Sequence, residues 1–434
     1  MSQEKIAVSK LERAGKLVNA GAKVGANYMK HYAKRLINSD TPRTELEQEN
    51  AKDIYTAFSE LKGGPLKVAQ MLSMGEQLLP KAYTQQFAQA QNKVDPLSYP
   101  LIRRTFRKAF GQPPEALFDA FSREAVNAAS IGQVHKGQID GQDYAIKLQY
   151  PGVATSLQSD LRLITPVATR ILGLKKQEIT PYLEEVERKL MEETDYNQEL
   201  ANAREIIDGC AGLDGLVFPE FREDLSNDRV LTMTWVDGAA LSDWLKGDPS
   251  QEERNRIGQW LWDFYQHQIH HLHVMHADPH PGNFIITPEG QLGVIDFGCV
   301  KRIPEEFYRP YVQLLLAGID TASADFSEAL MALELLYDTD SAQDRAMILE
   351  TFGYMFGLVG RPFYQPSFDF GDDAFFQQIY EQGEALSRDN AMRGLSARGS
   401  RHFIYFNRTY FGLYQLLNQL QAVVHTEVNA MAGV

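Results

Sequence analysis

The chain has 434 residues, a formal net charge of −14 and an ordinary globular composition, with 44% hydrophobic and 23% charged residues. This composition excludes a disordered or collagen-like chain, and the acidic total argues against nucleic acid as a partner. Cys210 and Cys299 are the only cysteines. They exclude a disulfide framework and a cysteine-based zinc site, and they favour a reducing compartment such as the cytoplasm.

The charge is unevenly distributed along the chain. Residues 1–36 carry a net charge of +6, which leaves −20 for the remainder. On a helix, Lys16, Lys23, Lys30 and Lys34 share one face. This lysine stripe either contacts an anionic membrane surface or packs as a solvated face against the rest of the chain. No segment has the roughly 18 uninterrupted apolar residues of a membrane span, so contact with the inner membrane face is expected to be peripheral.

The first 120 residues are expected to form an all-helical extension. Apolar periodicity predicts one helix before residue 38, a second that ends near Gly63-Gly64-Pro65, and a third over 66–79. The predicted inner face of the second helix consists of Ile54, Tyr55, Phe58 and Leu61.

The pattern changes after residue 120. The turn signal Asp140-Gly141 predicts a hairpin of two strands, 128–137 and 142–150. Further strands are predicted over 216–219, 229–236, 284–286 and 293–295. Helices are predicted over 157–208 and 251–273, and nearly everything after Tyr308 is expected to be helical, apart from loops at 361–373 and 387–400.

The most informative stretch is His276-Ala-Asp-Pro-His-Pro-Gly-Asn283, in which Asp278 and Asn283 have the spacing of a kinase catalytic loop. Phosphoryl transfer needs a carboxylate near the acceptor and an amide oxygen on a metal ion. Asp296-Phe-Gly298 follows 18 residues after Asp278 and matches the metal-binding motif of kinases. We therefore expect Asn283 and Asp296 to bind Mg²⁺ and Asp278 to position the acceptor.

The nucleotide side of a kinase site is predicted in the right order along the chain. Lys147, in the second strand of the hairpin, is expected to hold the α- and β-phosphates of ATP or ADP. Glu199 is the best candidate for its carboxylate partner, although it lies 52 residues later. Met233 is expected behind the adenine, with backbone near Trp235 and Val236 bonding the adenine edge. A buried core strand would show the same pattern.

Two features differ from an ordinary protein kinase. The loop over the phosphates contains Asn127, Ala128, Ala129 and Ser130 where kinases have glycines, so it is expected to be stiffer or differently shaped. After the Asp296-Phe-Gly298 motif the chain has no A-P-E stretch, which leaves little chain to dock a peptide substrate.

These elements predict an α+β, bilobal protein-kinase-like fold. It would have a small antiparallel-sheet lobe, a large helical lobe and the N-terminal helical extension. The expected division is residues 1–120 for the extension, 121–238 for the small lobe with a helical insertion, and 239–434 for the helical lobe.

The motifs resemble those of the UbiB/AarF/ADCK family of atypical protein-kinase-like proteins. The resemblance covers nearly the whole chain and includes the loop Asn127–His135, the strand Ala145–Val153, the E-x-D motif Glu193–Asp195 and the K-x-x-Q motif Lys67–Gln70. It implies that the helical extension covers the place of a peptide substrate, with Lys67 and Gln70 gating the nucleotide together with Glu193 and Asp195. Ala69 replaces a glycine of the family motif, and Asn127 replaces an alanine.

The resemblance implies an ATP-binding protein with Mg²⁺-dependent ATPase or phosphotransfer activity that supports the biosynthesis of ubiquinone or another isoprenoid lipid. Its expected partners are a nucleotide and lipid-biosynthesis enzymes or an isoprenoid lipid. One alternative is a small-molecule kinase resembling aminoglycoside and choline kinases, because His280 stands where a protein kinase usually has lysine. Another is a nucleotide-sensing pseudokinase scaffold.

Overall fold

A computed structural model describes most of the chain. The residues that it describes are 10–37, 43–61, 65–66, 81–88, 96–128, 131–153, 159, 161–162, 187, 191, 194–316, 320–388 and 398–427. Most of the third helix predicted for the extension, over 66–79, lies outside them, as does most of the helical pattern predicted over 157–208.

Within these residues the α-helices are α1 (Lys10–Ile37), α2 (Arg43–Leu61), α3 (Lys81–Ala88), α4 (Tyr99–Phe110), α5 (Tyr196–Cys210), α6 (Leu241–Trp244), α7 (Gln251–His267), α8 (Glu305–Leu316), α9 (Ala324–Ala332), α10 (Ala342–Gly360), α11 (Asp373–Arg388) and α12 (Arg401–Leu420). The strands are β1 (Ala120–Phe121), β2 (Asn127–Ala128), β3 (Gly132–Ile139), β4 (Gln142–Gln149), β5 (Leu216–Val217), β6 (Val230–Thr234), β7 (Ala239–Ala240), β8 (Val274–His276), β9 (Phe284–Ile286), β10 (Leu292–Val294), β11 (Val300–Arg302), β12 (Ser367–Asp369) and β13 (Val423–His425).

The chain divides into two compact units. Unit 1 comprises Met1–Leu200 and Glu220–Trp235, and unit 2 comprises Ala201–Pro219 and Val236–Val434. Unit 1 thus contains the helices of the expected extension together with the first sheet. The three-part division of the sequence stays a prediction.

Unit 1 is built around an antiparallel sheet in the order β1-β3-β4-β6, with β2 also paired to β3. The predicted hairpin is present as β3 and β4. Its turn residues Asp140 and Gly141 have φ of 50° and 82°, the positive values typical of a type I′ turn. In this register Lys147 of β4 lies opposite Val134 of β3 and Leu231 of β6, so the lysine occupies a central strand.

One hydrophobic cluster joins the helices and the sheet of unit 1. On α2 the predicted inner face is confirmed, because Ile54, Phe58 and Leu61 are buried and Tyr55 is partly buried against the same cluster. The cluster also contains buried residues from the other helices and the strands, among them Val24, Phe87, Phe106, Ile146, Leu148 and Val230. A shared core of this kind resists separation of the helices from the sheet.

The lysine stripe of α1 faces the carboxylates of α2. Lys16 pairs with Glu60 at 3.0 Å, Lys30 with Glu49 at 3.1 Å and Lys34 with Glu45 at 3.5 Å. Each of these exposed ion pairs contributes little to the free energy of unfolding, but the glutamates of α2 supply negative charge next to the lysines of α1. A membrane contact through this stripe stays a prediction, and it would have to compete with these ion pairs.

In its described residues, unit 2 combines helices with three small sheets. A four-stranded sheet has the order β5-β10-β9-β7, and the pairs β11-β8 and β12-β13 stand apart from it. The prediction of helix and loop after Tyr308 missed β12 and β13, which pair antiparallel. Each is only three residues long, and each buries one apolar side chain, Phe368 or Val424. So short a strand leaves no alternation to detect. Within the described residues, no helix combines the length and hydropathy needed to cross a bilayer.

The helix predicted over 251–273 has two parts. The α-helix ends at His267 and is followed by a π-helical turn over Gln268–Leu272, which ends where His273 adopts a left-handed φ of 51°. π-helical turns are rare and often occur at functional sites. This one leads directly into β8, the strand before Asp278.

His270 lies buried in this π-helical turn in its neutral form. Its Nδ1 accepts a hydrogen bond from the Tyr308 hydroxyl at 2.9 Å, and its Nε2 donates to Gln266 Oε1 at 3.1 Å. Burial, with a smaller contribution from the neighbouring His271 and His273, lowers the pKa of His270 to about 3. The unfolded chain therefore binds a proton at this histidine near pH 6.5, whereas the folded chain does not.

We expect the free energy of unfolding to fall as the pH drops below about 6.5, with His270 contributing up to about 1.4 kcal/mol per pH unit. Unfolding midpoints measured between about pH 7 and pH 5 should decline less steeply in His270→Gln than in the original chain. His425→Gln, which removes an exposed histidine, is the control. Equal slopes for all three proteins would contradict this assignment.

Candidate active site

In unit 1, Lys147 and Glu199 form an ion pair, the pairing predicted from the sequence. Lys147 Nζ donates to Glu199 Oε1, and the two side chains are only 14% and 6% exposed. The Lys147 ammonium also lies 6.0 Å from the ring centroid of Tyr196. A nearly buried ammonium held by a carboxylate is oriented by it, because neither charge is well solvated.

The start of α5 positions Glu199. The Asp195 carboxylate accepts a hydrogen bond from the backbone N–H of Asn197 at 3.0 Å, which supports the first turn of the helix. Tyr196 packs close to β3, since a Cβ at Gly132 would lie 2.8 Å from the Tyr196 hydroxyl and 2.6 Å from the Leu148 carbonyl oxygen. Glycine at position 132 therefore lets β3 approach the elements that carry Lys147 and Glu199.

The predicted phosphate loop begins as a strand. Asn127 pairs with Val134 and Ala128 with Gln133, so this part of the loop belongs to the edge of the sheet. Ala129 and Ser130 lie outside the described residues.

The predicted adenine strand is β6 and the chain that follows it. Met233 is buried opposite Ala145 of β4. The Trp235 N–H donates to the Asp143 carbonyl oxygen at 2.9 Å, so this donor is already used within the sheet. Bonding to the adenine edge would therefore depend on other backbone groups near Val236, which refines the prediction.

The structure describes one of the four residues that are predicted to gate the nucleotide. Asp195 is described and is exposed, and it caps α5 as stated above. Lys67, Gln70 and Glu193 lie outside the described residues, so their gating role stays a prediction.

In unit 2, Asp278 and Asn283 of the predicted catalytic loop contact each other. Asn283 Nδ2 donates to Asp278 Oδ2 at 3.0 Å and to the Asp278 carbonyl oxygen at 3.1 Å. The loop closes through a 3₁₀ turn over Pro281–Asn283, in which the Asn283 N–H donates to the His280 carbonyl oxygen at 2.9 Å. Because the amide nitrogen of Asn283 donates to Asp278, the amide oxygen is the atom of Asn283 that is suited to bind a metal ion.

Asp296 is tied to the same loop through its neighbours. The Ile295 N–H donates to the Asn283 carbonyl oxygen at 3.1 Å, and Asp296 Oδ1 accepts from the Gly298 N–H at 2.9 Å. The buried His276 joins the two motifs, because its Nε2 donates to the Asp296 carbonyl oxygen at 2.8 Å. Hydrogen bonds thus connect Asp278, Asn283 and Asp296 within residues 276–298, the hydrogen-bonded segment of unit 2.

A buried tyrosine supports this segment from α7. The Tyr265 hydroxyl is 3.2 Å from His276 Nδ1, the nitrogen that does not bond Asp296. Burial raises the pKa of Tyr265 well above its usual range, and the negative charge of Asp278 raises it further. Tyr265 is therefore a neutral donor that fixes the His276 tautomer.

The donor set fits Mg²⁺ better than a transition metal. Asp296 and Asn283 offer a carboxylate and an amide oxygen, the hard ligands that Mg²⁺ prefers when phosphates and water complete its coordination. In the described part of the chain, no group of three or more His, Cys, Asp or Glu side chains could hold a metal ion without such help.

Sequence reasoning missed Arg408. This residue of α12 lies 130 positions after Asp278, and its Nη2 is 3.3 Å from Asp278 Oδ1. No motif spacing links the two residues. The available signal was a charged residue inside the apolar run 403–424, where a lone arginine needs a partner.

A family model described as the ABC1 atypical kinase-like domain matches residues 89–330. The matched range includes Lys147, Glu199, Asp278, Asn283 and Asp296.

Several curated proteins are similar to the chain. The probable serine/threonine-protein kinase abkA of Dictyostelium discoideum is 26% identical over 78% of this chain and 64% of that protein. The AarF domain-containing protein kinase 1 of Mus musculus is 28% identical over 63% and 53%, respectively. The mitochondrial atypical kinase coq-8 of Caenorhabditis elegans is 27% identical over 72% and 42%. The chain thus spans about half the length of these relatives.

Among solved structures, the chain is similar to the Mycobacterium tuberculosis protein Rv3197 in its complex with erythromycin. The TM-score is 0.58 at 25% identity, covering 88% of this chain and 95% of that chain. This likeness and the family match confirm the expected α+β, kinase-like fold class. Because the family model covers more than half of its residues, the chain belongs to the ABC1 atypical kinase-like family, as its motifs predicted.

Proposed function

We propose that the chain is an ATP-binding atypical kinase with Mg²⁺-dependent ATPase or phosphotransfer activity, and that it supports the biosynthesis of ubiquinone or another isoprenoid lipid. The observation that carries the proposal is the hydrogen-bonded segment of unit 2, in which Asp278 and Asn283 contact each other and Asp296 is joined to them through Ile295 and His276. Kinase chemistry needs these three side chains close together.

Each residue has a proposed role. Lys147 would bind the α- and β-phosphates, and Glu199 would keep its ammonium pointed at them. Asp296 and Asn283 would hold Mg²⁺, which neutralises phosphate charge when bound. Asp278 would orient the acceptor, whether water or a hydroxyl, with its carboxylate held by Asn283.

The link to isoprenoid lipids rests on the resemblance to the UbiB/AarF/ADCK family and on similarity to relatives such as coq-8. Under this proposal the partners are a nucleotide and the enzymes or lipid intermediates of that pathway. Contact with an anionic membrane would be peripheral, and the ion pairs between α1 and α2 would limit the share of the lysine stripe in it.

Calorimetry and phosphate release with the purified full chain test the proposal. We expect ATP or ADP to bind in a Mg²⁺-dependent manner, and ATP to be hydrolysed slowly without an added acceptor. An absence of Mg²⁺-dependent nucleotide binding would refute the proposed activity. Loss of a quinone, or accumulation of its precursor, in a deletion strain would test the lipid pathway separately.

The same measurements separate the two alternatives. Stoichiometric phosphate transfer to a metabolite, in place of acceptor-independent phosphate release, would favour a small-molecule kinase. Nucleotide binding without turnover, together with complementation by Asp278→Asn, would favour a pseudokinase scaffold.

A further inference from the structure

Two different elements hold the two oxygens of the Asp278 carboxylate. Asn283 Nδ2 donates to Oδ2 at 3.0 Å from within the catalytic loop, and Arg408 Nη2 donates to Oδ1 at 3.3 Å from α12. Two donors on opposite oxygens fix the rotation of a carboxylate far better than one donor does. The orientation of Asp278 therefore depends on a residue outside the catalytic loop.

The contact between α12 and the loop is close and specific. A Cβ at Gly412 would lie 2.2 Å from Pro279 Cγ, so only glycine permits this approach of the helix. Arg408 precedes Gly412 by four residues and shares its helix face. The helix thus sets Arg408 against Asp278 and Gly412 against the next residue, Pro279.

A third position on the same face contacts the strand after the Asp296 motif. Tyr405 lies three residues before Arg408, and the Lys301 ammonium of β11 is 4.9 Å from its ring centroid. Lys301 is buried, so this cation–π contact is shielded from water. Through positions 405, 408 and 412, α12 therefore contacts the chain on both sides of the site, at Lys301, Asp278 and Pro279 respectively.

At the position where a protein kinase usually has lysine, the side chain of this loop bonds within the loop itself. That position is His280, and its Nδ1 accepts a hydrogen bond from the Gly282 N–H at 3.1 Å. The imidazole thereby caps the 3₁₀ turn that leads to Asn283.

We infer that Arg408 is a positioning residue that supplies, from α12, the cation that an ordinary kinase loop supplies next to its aspartate. This inference rests on the proposed function, because it assigns Arg408 a role in the turnover that Asp278 supports. Arg408 and Asp278 are 33% and 39% exposed, so the pair matters for the direction of the carboxylate more than for stability. Small displacements of an orienting group are costly in rate.

Arg408→Ala is expected to lower kcat for Mg·ATP hydrolysis about 10- to 100-fold and to leave the KM for Mg·ATP nearly unchanged. Arg408→Lys should recover part of kcat, and added guanidinium ion should restore activity to Arg408→Ala. A helix-anchoring role without an effect on Asp278 would not produce such chemical rescue. The matched control is Arg309→Ala, which removes an exposed arginine paired with Glu305 in the same unit.

Provided that the original chain turns over ATP, an unchanged or increased kcat in Arg408→Ala would overturn the inference. So would a loss of kcat accompanied by weaker Mg·ATP binding and a lower unfolding midpoint. An absence of guanidinium rescue would also overturn it. Should Arg408→Ala fail to fold, Arg408→Gln takes its place and is expected to lower kcat with a nearly unchanged KM for Mg·ATP. Guanidinium rescue does not apply to this variant, because the glutamine side chain fills the vacated space. If the original chain shows no Mg²⁺-dependent turnover, the proposed function itself fails, so the two failures are distinguishable.

Discussion

Replacing Asp296 with asparagine is expected to lower Mg²⁺-dependent ATP turnover at least about 100-fold. The change removes one negative charge and keeps the size of the side chain. An amide oxygen binds Mg²⁺ more weakly than a carboxylate does. Phosphate release measured over a range of Mg²⁺ concentrations should show little metal-dependent activity in Asp296→Asn.

The structure also predicts that this variant folds normally. Asp296 Oδ1 accepts from the Gly298 N–H, and an asparagine Oδ1 can accept the same bond. The hydrogen bond from His276 goes to the backbone carbonyl of residue 296, so it does not depend on the side chain. We therefore expect an unfolding midpoint close to that of the original chain.

A matched control is present in the same unit. Asp369 Oδ1 accepts from the Gly371 N–H at 2.8 Å, the same two-residue contact that Asp296 makes with Gly298 at 2.9 Å. Asp369→Asn should therefore keep full turnover. Wild-type activity in Asp296→Asn, or an equal loss in both variants, would contradict the role assigned to Asp296.

Residues linked by fixed spacing were the most predictable part of the site. The interval between Asp278 and Asn283 allows one tight loop, and the structure shows the two side chains in contact. The pairing of Lys147 with Glu199 was harder to predict, because 52 residues separate them. It could be proposed only because a kinase layout requires a carboxylate on a helix after the lysine strand.

Contacts between distant elements were not predictable from local pattern. Arg408 meets Asp278 because Gly412 lets α12 approach Pro279, and that approach depends on the packing of the whole unit. The pairing of the α1 lysines with α2 was equally hidden, because a lysine stripe looks the same whether it faces lipid, water or carboxylates. Short strands such as β12 and β13 give no periodic signal.

Lys147→Met is expected to weaken Mg·ATP binding about 10- to 100-fold, because a charge-assisted contact to the phosphates would be lost. The same change should destabilise unit 1 by on the order of 3 kcal/mol, since it leaves the Glu199 carboxylate buried without its lysine. Glu199→Gln should be similarly destabilising, because it leaves the Lys147 ammonium in a site that is only 14% exposed.

The double variant Lys147→Met/Glu199→Gln separates stability from nucleotide binding. Removing both charges together should restore much of the lost stability, because neither buried charge remains without its partner. It should not restore Mg·ATP binding, since the lysine is still absent. Lys30→Met, which removes the exposed partner of Glu49 in the same unit, is the control and should leave ATP affinity unchanged. Calorimetric ATP titrations and denaturant unfolding of all five proteins provide the test. Recovered ATP affinity in the double variant would show that Lys147 serves the fold and not the phosphates.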